Sequence, residues 1–565
     1  MFKKQYESHE TVSIIFEGKN LDVEIGQTVA SALLVGGDMV FRSSVVSGQP
    51  RGPYCMMGVC FECLLEIDGI PNQRACMIPV REAMKIKREK KQRVTSIRAP
   101  KFDYIIIGAG PAGMAAAITA RAHGLSVLVL DEQPSAGGQI FRNIESLEAT
   151  RNSEFSKLGQ EYEFGSSLVR RFKKCGANYF TDRSVWQIDN NLQIHHVSAS
   201  ASKSNSVNSH CQAKRLLIAV GAMERPMPLP GWTIPGVMPC TAVDVLYKSS
   251  GLIPDGEVVL AGSGPLLLLI GCRLLDVGVH VSAFLDTSMN GALLKALPLL
   301  PNALRSHKYL TRGLSLLWKI RKAGIPFHSG IQNIEALGTS KLEKVRIGKS
   351  GKFFDVTADL LLLHNGVVPN VQITRNLGCE HSWYDVQRYW EPIVDDWGNT
   401  SVDHVSIAGD CGRVAGAAIS EVSGHLAALE TVYQLGVISK VERDNLSQPH
   451  RIELARHKHV RPFLDKLFQP SKTWLVPEND KTLACRCEEV KVSEIRETVR
   501  MGIKDPDSLK SMTRCGMGYC QARMCGLTVS EIIAEEKKVS PEEIGYFKVR
   551  SPIRPITLGQ LAGID

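Results

Sequence analysis

A strand, a glycine-rich turn and a helix follow one another between Phe102 and His123. No other feature of the chain constrains the fold as strongly. The strand Phe102-Asp-Tyr-Ile-Ile-Ile107 runs into Gly108-Ala-Gly110-Pro-Ala112-Gly113, and the helix is expected from Pro111 to His123. The next strand, Val127-Leu-Val-Leu130, ends at Asp131-Glu132, with Asp131 placed 23 residues after Gly108. This is the dinucleotide fingerprint in its required context. Gly108 makes the tight turn, Gly110 lets the backbone approach a pyrophosphate, and Gly113 permits close helix–strand packing. The helix N-terminus favours the phosphate charge. Asp131, or Glu132 beside it, is placed for the ribose hydroxyls.

Two further segments favour FAD over NAD at this turn. Gly137-Gly138-Gln139 follows the acid closely. Val405-Ser-Ile-Ala-Gly409-Asp410, then Gly416-Ala417-Ala-Ile419, reads as a strand, an aspartate for the ribityl chain and a helix N-terminus. Such a terminus stabilises negative charge on a reduced flavin.

A second unit repeats the pattern. The strand Glu257–Ala261 leads into Gly262-Ser-Gly264-Pro-Leu-Leu267, and the strand Val279–Leu285 ends at Asp286. Leu267 stands where the third glycine would be, and this is expected to push helix and strand slightly apart. Asp286, followed by Thr287-Ser288 with no nearby Arg, disfavours a 2′-phosphate and therefore NADP. NAD, ATP or another adenine nucleotide, and an empty structural domain, are equally open readings.

Eight of the fifteen cysteines fall into two tight sets. Cys55, Cys60 and Cys63 have C-x4-C-x2-C spacing, and Cys76 follows after twelve residues. Thiolates converging on two irons from a tight loop and a later strand match this spacing, and Gly58 lets the backbone curl around the sulfides. The alternative is structural zinc, which favours paired C-x2–4-C ligands. Cys60 and Cys63 form the only C-x-x-C, so no separate redox dithiol is expected. Near the other end, Cys485-Arg-Cys487 and Cys515-Gly-Met-Gly-Tyr-Cys520 are separated by 27 residues and suit a second iron–sulfur cluster. Gly516 and Gly518 are expected to turn backbone N–H groups towards the sulfurs. Cys525 is read as a spectator, and a helix over Val492–Met501 is expected beneath the loop. Most of the scattered cysteines read as small buried hydrophobes.

The 565 residues allow three or four domains. At 44% hydrophobic and 22% charged, a disordered or collagen-like chain is excluded. The net charge of +9 is local, because residues 81–101 hold nine Lys/Arg against two Glu. That stretch reads as a solvated linker, and nucleic acid is not an expected partner. Met1-Phe-Lys-Lys-Gln-Tyr-Glu7 lacks a secretion signal, and the apolar run Val258–Cys272 is too short to span a bilayer. A soluble, cytoplasmic chain without stable membrane insertion is expected.

The expected fold class is α/β. Two glutathione-reductase-like Rossmann domains are preceded by a β-grasp iron–sulfur domain and followed by a small helical cysteine domain. In the first block, Val12–Phe16 and Leu21–Glu24 read as strands around Glu17–Asn20, and Thr28–Val35 as a helix. The expected domains are 1–99, 100–253 with 351–435, 254–350, and 436–565. The serine-rich stretch Ser198–Ser209 reads as a loop between strands. No acid–base constellation for substrate chemistry is found. His364, at the end of an expected strand, reads as a positioning residue near a nucleotide.

The stretch Arg51–Cys63, with Asn72–Cys76, resembles the small iron–sulfur component of bacterial cyanide-forming glycine dehydrogenases and opine or hydroxyproline dehydrogenases. Leu130–Pro134, Gly137–Ile140, Gly221–Pro226, Pro230–Val237 and His364–Asn370 resemble their flavoprotein alpha subunit. Thr513–Cys525 is similar to bacterioferritin-associated ferredoxin. The chain thus looks like a fusion of two components. Ala219-Val220-Gly221 departs from the family's Ala-Thr-Gly, so one hydroxyl contact near the flavin is lost. The resemblance implies FAD near Ala112, Gly221 and Ala417 and two 2Fe-2S clusters. It also implies a partner (beta) chain, a D-amino-acid-oxidase-like FAD protein on which the amine is oxidised, with FMN at the interface. The alternatives are a self-sufficient NADH-dependent reductase and an electron-delivery or iron-release partner acting through the C-terminal domain.

Overall fold

The computed structural model describes residues 10–43, 49–53, 55–56, 62–88, 99–150, 158–198 and 209–562. Met1–Glu7, Gly58, Cys60, linker residues 89–98 and the serine-rich residues 199–208 lie outside the described residues. The chain forms two compact units, residues 1–99 and 100–565.

Among its described residues, the first unit has a mixed five-stranded sheet, a helix and a short two-stranded pair. The sheet order is Lys19–Glu24, Thr11–Phe16, Lys85–Lys87, Leu64–Ile67, Ile70–Arg74. The first hairpin closes on a two-residue turn, tighter than the four residues expected. Glu17 and Gly18 both adopt positive φ, 50° and 81°, which matches the strand twist. The helix Val29–Val35 starts at Thr28, whose hydroxyl accepts from Ser31 N at 3.2 Å. It buries Val29, Ala30 and Leu33 against Ile14, Leu65 and Ile86.

In the second unit, the strands Lys101–Ile107, Val127–Leu130, Asn178–Phe180 and the C-terminal part of Ser209–Ile218 run parallel, with Val405–Ile407 joining Ser209–Ile218. The helix Pro111–Ala122 crosses this sheet. A Cβ at Gly113 would lie 1.9 Å from Gly108 O, so glycine is required for the helix to sit this close. The helix Ala417–Gln434 packs on it through Gly424, where a Cβ would lie 2.1 Å from Ala112 O. On either side of the serine-rich segment, Gln193–Ser198 and Ser209–Ile218 pair antiparallel.

A second parallel sheet has the order Val237–Pro239, Leu360–Asn365, Val258–Ser263, Val281–Asp286, Phe327–Ser329. The expected third block, 254–350, is narrower than this sheet. Leu360–Asn365 pairs with Val258–Ser263 over six residues, and position 350/351 falls inside the hairpin of Lys344–Lys349 with Lys352–Thr357. Strand pairing therefore carries the second sheet out to residues 237 and 365. Leu267 is fully buried with Leu260 and Leu362 and fills the space a glycine would leave.

The C-terminal segment is mostly helical. Val492–Arg500, Pro506–Thr513 and Gly526–Lys537 enclose a core of Ile495, Leu509, Val529 and Ile532 that includes Cys485, Cys515 and Cys525. Among the described residues, no helix is long and apolar enough to cross a membrane.

Candidate functional site

A cavity of about 880 Å³ opens between the two parallel sheets. The first glycine turn meets it through Gly108, Gly110 and Ala112. A Cβ at Gly110 would find only Gly138 Cα, 3.9 Å away, so this turn faces open space. Asp131, Glu132, Gly138, Gln139 and Gly221 line the same cavity. So do Gly409, Asp410 and Ala417, brought in from the far end of the chain by the pairing of Val405–Ile407. Of the expected nucleotide residues, Gly264 also lines it, whereas Gly113, Gly262 and Asp286 do not. Gly113 and Gly262 serve packing, because a Cβ at Gly262 would lie 1.9 Å from His364 O.

The two acids after Leu130 have different roles. Asp131 is buried and accepts from Gln133 N at 2.6 Å and from Ala109 N, tying strand end to turn. Burial pushes its carboxyl above the ordinary range. Glu132 accepts from Ser184 Oγ at 2.9 Å and pairs with Arg554. Asp410 Oδ1 accepts from Ala415 N at 2.9 Å and Gly416 N at 3.0 Å. It thereby shapes the loop that starts the helix Ala417–Gln434, whose N-terminal end faces the cavity. This glycine-lined cradle, wide enough for a dinucleotide and bounded by a helix terminus, fits FAD.

The C-terminal cysteines stand next to that cavity. Cys485, Cys515 and Cys525 are buried with their sulfurs all within 4.8 Å of one another. Cys525, read from sequence as a spectator, therefore belongs with Cys485 and Cys515. The reason is that the loop before Gly526–Lys537 folds its last residue inward. The other two, Cys487 and Cys520, interact through their side chains. Hydrogen bonds from the Cys515 and Cys525 thiols and from Gly516 N–H hold the Cys485 thiol down to about 2, a thiolate environment. Gly518 serves close approach instead, since a Cβ there would lie 2.2 Å from Cys487 Cβ. The three clustered thiols, with the interacting Cys487 and Cys520, fit an iron–sulfur donor set. Of the other expected buried cysteines, Cys211, Cys240, Cys272, Cys379 and Cys411 are buried and Cys175 is half-buried.

In the first unit, Cys63 and Cys76 are buried at the ends of paired strands, with Ala75 N donating to Cys63 O at 3.0 Å. Cys55 is half-buried, and Cys60 lies outside the described residues.

Several lining residues carry no sequence signal. Arg486 stands between Cys485 and Cys487, and Arg523 and Met524 between Cys520 and Cys525, yet all three face the nucleotide cavity. Arg523 donates to Cys520 O at 3.2 Å and Ile553 O at 2.7 Å, and burial lowers its pKa to about 10. Trp232 donates to Leu483 O at 2.9 Å and joins the same wall. Glu224 is the partner of His364, a pairing across 140 residues that no local spacing encodes.

Residues 9–91 match the 2Fe-2S iron–sulfur cluster binding domain, and residues 102–424 the pyridine nucleotide-disulphide oxidoreductase family. Residues 479–564 match the sarcosine oxidase A3 domain. The chain is 39% identical over 467 residues to the A-subunit of opine oxidase from Rhizobium meliloti, covering 82% of this chain and 87% of that protein. The chain belongs to the opine oxidase A-subunit family. Within that family it is an oxidoreductase of the flavin and iron–sulfur type. It is also 30% identical to hydrogen cyanide synthase subunit HcnB of Pseudomonas aeruginosa, covering 80% of this chain and 96% of that one. The structure of L-proline dehydrogenase from P. horikoshii superposes with a TM-score of 0.57 at 19% identity over 98% of each chain, a likeness of fold.

Proposed function

We propose that this chain is the electron-transferring alpha subunit of a cytoplasmic complex that oxidises an amino acid, opine or imino acid. The substrate is oxidised on a partner flavoprotein of the D-amino-acid-oxidase type, with FMN at the interface. One observation carries the reading: Arg486, Arg523 and Met524, inserted between the C-terminal cysteines, line the same cavity as Gly110 and Asp410. The residues that flank the C-terminal cysteines in sequence thus also line the nucleotide cavity.

The chain's own residues bind and orient. Gly108, Gly110, Ala112 and Gly138 admit a pyrophosphate, and Asp131 or Glu132 holds the ribose. Asp410 would meet the ribityl chain and the helix terminus at Ala417 would stabilise negative charge on a reduced flavin, with Gly221 lining the same cavity. Cys55, Cys60, Cys63 and Cys76 hold one 2Fe-2S cluster. Four of the five C-terminal thiols hold a second, in a helical domain of the bacterioferritin-associated ferredoxin type. When bound, FAD takes electrons in pairs and the clusters pass them singly. Of the second glycine unit, Gly262, Gly264 and Asp286, only Gly264 lines the cavity; the unit either holds an adenine nucleotide, NAD or ATP, or serves as an empty structural domain.

The test is anaerobic addition of NADH to the purified, flavin- and cluster-loaded chain. The expected result is no rapid bleaching of the flavin band, with bleaching by the amine substrate only when the partner flavoprotein is present. Rapid bleaching by NADH alone would overturn the subunit reading in favour of a self-sufficient reductase.

A further inference from the structure

In the second parallel sheet, the crossover from Val281–Asp286 to Phe327–Ser329 is longer than parallel pairing needs. It folds as the helices Ala292–Ala296, Leu300–Ala303 and His307–Lys322, joined by single tight turns. Its inner side is conventional. Ala296 and Ala303 are buried against Val460 and Phe463, and Ile320 is buried in the core that holds Leu267 and Leu274.

The outer side is apolar as well. Leu294 is 75% exposed, Leu314 67% and Trp318 63%, and Leu293, Leu297 and Leu304 are exposed with them. Leu314, Trp318 and Lys322 follow at four-residue spacing and so share one face of their helix. Lys322 Nζ stands 4.9 Å from the centroid of the Trp318 ring. Single exposed leucines need no explanation, but a series of them on one crossover marks a contact surface.

The charge of this crossover is of one sign. Between Asp286 and Glu335 the chain carries seven Lys/Arg and no Asp or Glu. With linker residues 81–101 it holds more than the whole net charge of +9, so the remainder of the chain is net negative. A neighbouring helix end adds to it. Ser306 donates to Arg456 O, and Tyr309 OH lies 2.7 Å from His457 Nδ1, which brings the basic last turn of Lys440–Lys458 alongside. The acids that reach this surface are few: Lys319 pairs with Asp276, and Glu453 lies 3.9 Å from His457.

We propose that the outer side of the crossover Ala292–Lys322 is a peripheral docking surface for an anionic phospholipid bilayer. Its leucines and Trp318 enter the boundary between headgroups and acyl chains, and its Lys/Arg side chains meet the lipid phosphates. Charge and composition together favour lipid over a protein partner. Four of the seven basic residues are Lys, which the centres of protein interfaces exclude. At a bilayer surface the Lys stem lies along apolar groups while its ammonium stays among headgroups. The contact is peripheral, since among the described residues no helix is long and apolar enough to cross a membrane. It is independent of the electron-transfer reading and of which amine is oxidised.

The test is co-sedimentation of the purified full-length chain with vesicles of phosphatidylcholine, with and without an equal part of phosphatidylglycerol. Binding is expected only to the anionic vesicles and is expected to fall as salt is raised. The double variant Leu314→Gln, Trp318→Gln keeps good helix formers on an exposed face, and its melting temperature and flavin content check that it folds. Its binding is expected to weaken about tenfold or more, because two large apolar side chains no longer leave water. Lys308→Glu with Lys322→Glu is expected to weaken it by a similar factor. Equal binding to vesicles without phosphatidylglycerol would overturn the anionic assignment. Undiminished binding by the double variant would overturn the role of this surface and move the contact to the basic linker. No vesicle binding by the wild-type chain would overturn the proposal outright. Loss of a partner protein from the double variant in that case would make the same face a protein interface.

Discussion

Arg554 grips Glu132 with a two-pronged contact, Nε to Oε1 at 2.8 Å and Nη2 to Oε2 at 2.8 Å, across 422 residues of chain. The pair fastens the C-terminal segment to the strand end that borders the nucleotide cavity. Ile553, beside it, is 1% exposed and donates its N–H to Trp186 O at 2.8 Å. Arg554→Ala is expected to lower stability by only about 0.5–1 kcal/mol, because the pair is partly solvated. It is also expected to raise the FAD dissociation constant several-fold by loosening that wall. Flavin release during titration with apoprotein checks the second effect, and unchanged release would detach the tail from the site.

The two glycines of the first turn should fail differently. A Cβ at Gly113 collides with Gly108 O at 1.9 Å, so Gly113→Ala is expected to destabilise the fold by about 1–3 kcal/mol. Gly110→Ala meets nothing closer than 3.9 Å and should leave the melting temperature of the apoprotein almost unchanged while weakening FAD binding. Parallel thermal melts and flavin titrations of the two variants check the contrast. Equal loss of apoprotein stability in both would refute it.

Cys525 is expected to matter as much as Cys485. Cys525→Ser should lower the iron content from about four to about two per chain and remove one cluster signal in electron paramagnetic resonance. Cys175→Ser, outside both sets, should change neither. Individual Ser variants of Cys487, Cys515 and Cys520 then identify which of the five thiols is the one not bound to iron.

Stability should fall on the acid side well before the carboxylates titrate. His196, His381 and His450 are each lowered from 6.5 to about 4, mainly by burial of the charged form. Above pH 6.5 these imidazoles are neutral in both folded and unfolded chains and contribute no pH dependence. Between pH 6.5 and about 4 the unfolded chain takes up protons that the folded chain refuses, so stability declines as pH falls through that window. Melting temperatures across this range check the slope. His196→Gln should flatten it, since His196 is 3% exposed with its Nδ1 unpartnered.

The first glycine unit was legible residue by residue. Its strand runs Lys101–Ile107, its helix Pro111–Ala122, and Asp131 stands at the end of Val127–Leu130. The helix beneath the C-terminal loop, expected over Val492–Met501, runs Val492–Arg500. These features depend on periods of two or 3.6 residues and on turn chemistry within a few positions, which local backbone geometry enforces. The extent of the second sheet was not legible, because Leu360–Asn365 and Val237–Pro239 enter it by long-range pairing. The clustering of Cys525 with Cys485 and Cys515 was not legible for a related reason: spacing along a loop does not say which way its last residue turns.

The sequence by itself determined that the chain carries a dinucleotide turn and two cysteine sets, and which residue types stand at each. Only the tertiary structure decided that Arg523 and Met524 share a cavity with Gly110, that Glu224 stands behind His364, and that Arg554 reaches Glu132. Bond lengths and φ/ψ preferences set contacts within a turn, so a motif can be read from spacing. Contacts across hundreds of residues are selected by which apolar faces bury one another, and that choice depends on the whole chain at once.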